Sequence, residues 1–190
     1  MKYEIIDSFL SKNECDDLID MATDRLQSST TVNPVSGAYQ VDDFRKSDQM
    51  FFRIHENPLI ANIEKRIAVH TNTAIECGEG LQVVRYQPGG YFKPHWDDFD
   101  DKFEGNRTQL QRGGQRIVTF LMYLNDVEEG GETYFHKLNL SVKPKAGRAI
   151  VWWNLKEDGT RDESTYHEGK PLISEKKYIA TKWIRDKKFT

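Results

Sequence analysis

Histidine and aspartate two positions apart, in the run Tyr91-Phe92-Lys93-Pro94-His95-Trp96-Asp97, are the first residues of this chain whose types and spacing suggest chemistry. Side chains alternate faces on an extended strand. The spacing therefore predicts His95 and Asp97 on one face with Tyr91 and Lys93, while Trp96 points away. An imidazole and a carboxylate so placed can share one metal ion, although a structural histidine paired to a carboxylate has the same spacing. A second imidazole, His167 in Ser-Thr-Tyr-His-Glu-Gly, stands on a separate late segment. Two imidazoles and one carboxylate on one face of an ion leave the opposite face open, as non-haem Fe(II) oxygenases require to admit cosubstrate and dioxygen. Zinc accepts the same donors in a catalytic site. Lys177 separates these readings. The alternation Lys177, Ile179, Thr181, Trp183 puts its ammonium on a mostly apolar inward face, where an unpaired charge is costly and an anion is expected to meet it. A strand lysine whose head snorkels to water is the alternative.

Helices and strands must bring these residues together. Ser11-Lys12-Asn13-Glu14 has the spacing of a capping box, and Cys15, Leu18, Ile19, Ala22 and Leu26 continue as one apolar stripe. Residues 29–50 read as loop or irregular strand. Asn57-Pro58 opens a second helix, lined by Ile60, Ile63 and Ile67 and expected to end near Asn72. From residue 81 the pattern turns to short segments rich in β-branched and aromatic residues: 81–86, 91–95, 115–124, 132–135, 140–142, 149–153, 164–167 and 177–185. Glycine-rich turns at 88–90, 113–114, 130–131 and 145–147 punctuate them. No helix-length pattern separates these strands, which rules out repeated βαβ units and favours a jelly roll or related barrel. The polar segment 98–114 is expected to be a structureless lid or binding loop.

A length of 190 residues argues for one domain, and 37% apolar with 30% charged residues is ordinary globular composition. The formal charge of −3 provides no net field toward nucleic acid or an anionic membrane. Arg107, Arg112 and Arg116 are too few for a phosphate track, so no nucleic-acid partner is expected. The first 17 residues reach acidic side chains before any useful apolar run, and no segment approaches the roughly 18 apolar residues of a membrane span. Two cysteines, Cys15 and Cys77, suit a reducing compartment, so a cytoplasmic location is expected. Oligomeric state is not legible.

Four ordered segments resemble the prolyl 4-hydroxylase branch of the 2-oxoglutarate- and Fe(II)-dependent dioxygenases: LQVVRYQPGGYFKPHWD, RIVTFLMYLNDVEEGGETYF, VKPKAGRAIVWWN and TYHEGKPLISEKKYIATKWIR. They cover about Gly80 to Arg185, and a looser likeness covers the first 79 residues. The resemblance implies a mostly β fold with N-terminal helices and a double-stranded β-helix core of the jelly-roll or cupin-like kind. It implies a single domain over 1–190, with 1–79 as helical or irregular support and 80–185 as the core. His95, Asp97 and His167 match the iron ligands. Lys177 matches the lysine that meets the far carboxylate of 2-oxoglutarate, with Tyr86, Tyr123 and Thr133 as further cosubstrate contacts. Tyr91, Glu79, Arg116 and Trp183 fall near the expected substrate groove, Tyr91 as a face for a prolyl ring.

The implied reaction hydroxylates a peptidyl proline at C4 in a proline-containing protein or peptide. It consumes 2-oxoglutarate and O2, yields succinate and carbon dioxide, and uses ascorbate to rescue oxidised iron. Hydroxylation of a free amino acid or small metabolite is the alternative within enzymes, and a cupin-like metal-binding domain the alternative outside them. Groove length beyond the metal separates peptide from metabolite. Two departures stand out: His136 where the family usually has proline, and Glu175 where glycine is common. His136 reads as a loop or surface histidine, and His55 and His70 as structural ones.

Overall fold

The computed structural model describes residues 1–190. In chain order the elements are β1 (Tyr3–Ile6), α1 (Lys12–Thr23), β2 (Gln27–Ser28), β3 (Thr31–Val32), β4 (Tyr39–Gln40), β5 (Arg45–Lys46), β6 (Asp48–Phe52), α2 (Pro58–Thr71), β7 (Leu81–Tyr86), β8 (Tyr91–His95), α3 (Glu104–Gln111), β9 (Arg116–Tyr123), β10 (Thr133–Phe135), β11 (Leu140–Val142), β12 (Ala149–Trp153), β13 (His167–Gly169) and β14 (Lys177–Arg185). Seven strands form a major sheet in the order β1-β12-β9-β14-β7-β6-β2, five form a minor sheet in the order β11-β10-β13-β8-β5, and β3 with β4 makes a separate hairpin. All strand pairings are antiparallel. This is the expected double-stranded β-helix with helices before it.

Each face of the major sheet has its own core. Val118, Phe120 and Met122 of β9, Leu81 and Val83 of β7 and Tyr178 and Ala180 of β14 pack with Leu18 and Ala22 of α1 and Ile60, Ile63 and Ile67 of α2. The alternate residues Leu121, Tyr123, Val84, Tyr86 and Ile179 face the minor sheet, where Phe135 and Val142 meet them. Central strands are therefore buried on both faces, and all nine residues of β14 are buried.

Local signals account for both long helices. Ser11 and Glu14 complete the reciprocal capping box of α1. Asn57 caps α2 ahead of Pro58, and Asn72 closes it in the left-handed conformation. Three expectations are corrected. The segment 98–114 is not structureless but carries α3, hidden because its helix is polar apart from Leu110. Residues 163–165 form a 3-10 turn capped by the Asp162 side chain, so the expected strand at 164–167 begins only at His167. The first 79 residues also do more than support the core. β1, β2 and β6 extend the major sheet and β5 the minor one. Glu175, standing where glycine is usual, sits at φ 65°; an L side chain in that region is strained.

Beneath the major sheet, Lys182 of β14 meets Glu64 of α2 at 2.6 Å, with both residues at most 2% exposed. Glu64 also accepts from the His55 backbone N–H at 2.9 Å. Removing one member leaves a buried charge without its partner. Lys182→Met is therefore expected to lower unfolding free energy by about 3–5 kcal/mol, whereas Glu64→Leu combined with Lys182→Met recovers most of that loss. Urea unfolding of the two variants is the measurement.

Candidate active site

His95 and His167 are direct register partners on β8 and β13, and their ring centroids lie 4.4 Å apart. Asp97 follows β8 by two residues and turns its carboxylate between them, Oδ1 standing 3.5 Å from His95 Nε2 and Oδ2 4.0 Å from His167 Nε2. One ligand atom from each residue lies within 4.8 Å of the others. The backbone fixes which nitrogen is free. Nδ1 of His95 is 2.7 Å from the Lys93 carbonyl and Nδ1 of His167 is 2.8 Å from the Thr165 carbonyl. A carbonyl only accepts, so each Nδ1 carries the proton and each Nε2 lone pair faces the shared space, the tautomer a metal requires. The donor set thus fits a divalent ion held on one face. Burial pushes the Asp97 carboxyl up, but the neighbouring imidazoles outweigh it and hold the group well below the usual carboxylate range. Burial and His95 together lower His167 to about 4, so its imidazole is neutral at neutral pH.

The strand-face expectation fails at one point. The β8–β13 register shifts between His167 and Gly169, and this irregularity changes the alternation. Phe92, not Tyr91 or Lys93, shares the side of His95, stacking on its ring at 3.7 Å. Tyr91 instead donates its hydroxyl to the Asp43 carbonyl at 3.0 Å and is absent from the groove lining.

Lys177 is 2% exposed and lines the same cavity as the triad, together with Tyr86, Thr133 and Thr181. Its Nζ donates to the Gly131 carbonyl at 2.7 Å and sits 4.3 Å from the Tyr86 ring centroid. No carboxylate pairs with it, and burial pulls its ammonium down to about 7, opposed only in part by the field of Glu132. Tyr123, expected as a cosubstrate contact, stands behind Thr133. Its hydroxyl is engaged by Thr133 Oγ1 at 2.7 Å and the Val142 carbonyl at 3.2 Å, outside the cavity lining.

A second, larger cavity of about 990 Å³ runs from His95 and Asp97 along the molecule. Glu79, Arg116 and Trp183 line it. Glu79 is committed to holding arginines, accepting from Arg116 at 2.6 and 2.9 Å and from Arg185 at 2.7 Å. Arg116 lies 3.8 Å from the Trp183 ring centroid. The β3–β4 hairpin reaches over this groove to α3, where the Gly105 N–H donates to the Pro34 carbonyl at 3.0 Å and Tyr39 joins Gln109 at 3.3 Å.

Sequence reasoning missed Arg45. It is 7% exposed, borders both cavities, stacks over Phe92 at 4.6 Å and has Ser47 and Gln49 but no carboxylate as side-chain partners. It falls in the irregular stretch 29–50, where no periodicity points inward. His136 sits outside the site beside Glu168 at 3.3 Å, while His55 stands beside Glu64 of α2 and His70 of α2 beside Glu4 of β1.

Comparison with known proteins places this geometry in context. Residues 81–185 match the family model described as the 2OG-Fe(II) oxygenase superfamily. The chain is 42% identical to Prolyl 4-hydroxylase 1 of Arabidopsis thaliana over 198 residues, covering 96% of this chain and 68% of that protein. Against Probable prolyl 4-hydroxylase 3 of the same plant it is 39% identical, covering 93% and 67%. It therefore spans about two thirds of the length of these relatives. Among solved structures, a viral collagen prolyl hydroxylase from Paramecium Bursaria Chlorella virus-1, in its 2OG complex, superposes with a TM-score of 0.75 at 34% identity, covering 97% and 96% of the two chains. A Pseudomonas putida prolyl-4-hydroxylase shares the fold, with a TM-score of 0.66 at 17% identity over 96% and 91%.

Lys177 generates a stability prediction with a definite sign. Its folded value near 7 lies below its ordinary 10.5, so the unfolded chain binds more protons between those limits and stability rises with pH across that window. Replacing the unpaired ammonium by an apolar side chain is expected to stabilise the protein at about pH 6 by roughly 1–4 kcal/mol, the gain fading toward about pH 10. Urea unfolding of Lys177→Met beside the wild type across that range checks it.

Proposed function

Because this chain belongs to the 2OG-Fe(II) oxygenase superfamily, we propose that it hydroxylates a peptidyl proline at C4, consuming 2-oxoglutarate and O2 and releasing succinate and carbon dioxide. The observation that carries this reading is Lys177. A buried ammonium with no acidic partner, in one cavity with two outward Nε2 lone pairs and a carboxylate, is built for a ligand with one end that chelates and another that is an anion.

His95, Asp97 and His167 hold Fe(II) in this reading. When bound, the iron with 2-oxoglutarate and O2 supplies the oxidising equivalent that inserts one oxygen atom into a C–H bond of the substrate. The chain's own residues bind, orient and exclude water. Lys177 meets the far carboxylate of the cosubstrate, and its proton affinity recovers as that charge arrives. Tyr86 and Thr133 border the same pocket and contact the cosubstrate, while Tyr123 acts behind them by fixing the Thr133 hydroxyl. Phe92 stacks on His95 and limits its rotation.

Substrate choice belongs to the long groove. Glu79 fixes the Arg116 guanidinium against Trp183, which leaves a rigid cationic and aromatic wall beside the metal ligands. Tyr91, anchored to Asp43, acts at most from the rim. A groove of about 990 Å³ roofed by the β3–β4 hairpin suits an extended chain better than a free amino acid, which supports the peptide over the small metabolite. No helix is long and apolar enough to cross a membrane. The free Cys15 and Cys77 agree with a reducing, cytoplasmic setting, and ascorbate is assigned the part of returning oxidised iron to Fe(II).

Incubation with Fe(II), 2-oxoglutarate, ascorbate, air and proline-rich peptides of graded length is expected to add one oxygen atom per modified residue and to yield 4-hydroxyproline in step with succinate. Mass spectrometry and amino-acid analysis read both. Lys177→Ala is expected to raise the Michaelis constant for 2-oxoglutarate by about 30- to 5000-fold, since its loss strands a buried carboxylate at a cost of about 2–5 kcal/mol. Equal turnover of free proline and of every peptide would replace the peptidyl reading with the metabolite one.

A further inference from the structure

We propose that Thr119 and Asn154 are positioning residues that hold Asp97 as a one-oxygen metal ligand through a hydrogen-bond relay running in a single direction. The proposal rests on the assignment of His95, Asp97 and His167 as the metal site. Thr119 lies on the cleft face of β9 and is 1% exposed; Asn154 directly follows β12 and is fully buried. Thr119 Oγ1 donates to Asp97 Oδ2 at 2.7 Å. Asn154 Nδ2 stands 3.1 Å from Thr119 Oγ1 and 3.2 Å from the Arg116 carbonyl.

The Arg116 carbonyl sets the direction. It can only accept, so the Asn154 amide must turn its NH₂ toward it and thereby toward Thr119 as well. Both amide hydrogens are then used, one on each partner. Thr119 Oγ1 accepts from Asn154, and its single proton goes to Asp97 Oδ2. The Asn154 backbone is clamped on both sides, its N–H donating to the Ile117 carbonyl and its carbonyl accepting from the Asp162 N–H, each at 2.9 Å.

A second observation points the same way. Asn154 Oδ1 is buried without any hydrogen-bond partner. An orphaned buried carbonyl is unfavourable, so the position tolerates it for the sake of the two donors on the other end of the amide. The Thr119 hydroxyl takes one lone-pair site of Oδ2 and orients the carboxylate, leaving Oδ1, the oxygen beside His95, as the less engaged of the two for an ion. A single-oxygen contact leaves the remaining face of the ion to cosubstrate and dioxygen, whereas a two-oxygen grip would occupy part of it.

Titration of Co(II) into the metal-free full-length chain tests the relay without turnover, reading the dissociation constant and the visible absorption of the bound ion. Thr119→Val keeps the shape and removes the hydroxyl. Asn154→Asp presents an acceptor where the donor stood, drawing the Thr119 proton away from Asp97. Both are expected to weaken Co(II) binding by about 10- to 100-fold and to change the absorption bands, while Thr119→Ser stays within about threefold of wild type. Thermal unfolding of each metal-free variant confirms that the fold persists. If Thr119→Val does not fold, Asn154→Asp against Thr119→Ser decides. Wild-type affinity and spectrum in Thr119→Val or in Asn154→Asp overturns the relay, as does a Thr119→Ser protein as weak as Thr119→Val. His167→Ala keeps the two failures apart. If it binds Co(II) as well as wild type does, the metal assignment itself fails and the relay falls with it; if it loses Co(II), a negative result in the other variants counts against the relay alone.

Discussion

The last strand of the major sheet carries cations into the interior on both of its faces, and the fate of each organises the molecule around it. Lys182 points toward the helices and is met by Glu64. Arg185 points toward the cleft and is met by Glu79, which holds Arg116 as well. Lys177, at the other end of the cleft face, has only a backbone carbonyl. Burying a charge without its counter-charge is among the most unfavourable things a fold can do, so the contrast within one strand is informative. Two of the cations are paired by carboxylates within the fold, and the third is not. The carboxylates that answer the first two come from α2 and from the segment preceding β7, both in the part of the chain that precedes most of the barrel. The helical layer and the barrel are therefore bound together through the strand that presents Lys177.

Much of this is legible in the sequence. Burial on two faces makes β14 alternate between two environments, and Lys177, Ile179, Thr181 and Trp183 fall on the cleft face as a period of two requires. The capping box at Ser11 and the Asn57-Pro58 start are local chemistry and need no tertiary context. What escaped was set by long-range pairing. A period of two puts Tyr91 on the face of His95, yet the shift in the β8–β13 register puts Phe92 there. Pro94 cannot donate to a ladder and hints at irregular pairing, but only the partner strand shows where the phase changes. Arg45 was invisible for a related reason: its two-residue strand is too short for any periodicity to develop. α3 has too little apolar patterning to announce itself, and it is tied down by contacts with a hairpin some seventy positions earlier.

Hydroxyl and amide groups of the cleft were the least legible of all. Thr119, Tyr123 and Thr133 stand at alternating or isolated strand positions that a core residue would also occupy. Their different parts follow from which neighbour consumes which proton. Tyr123 is engaged by Thr133 and a carbonyl and so stays behind the cavity wall. Thr119 has its lone pair taken by Asn154 and faces Asp97. A sequence lists donors and acceptors without pairing them, and only the pairing separates a group that contacts a ligand from one that orients a group that does.

Order is distributed unevenly, and in a way that suits the proposed chemistry. The metal ligands and Lys177 rest on β8, β13 and β14 or immediately beyond them, held between two packed sheets, so the reacting centre is anchored in the best-buried part of the molecule. The groove wall opposite is built otherwise. Between residues 27 and 46 every strand is two residues long, and Val35, Tyr39 and Val41 are exposed. This hairpin meets α3 through hydrogen bonds between the Pro34–Gly37 turn or Tyr39 and residues of the helix, and none of its residues belongs to either core cluster. Segments with few buried apolar contacts open at small free-energy cost, while those in the core open only with global unfolding. The hairpin is thus separate from the triad: no ligand residue and no member of either major core cluster lies on it.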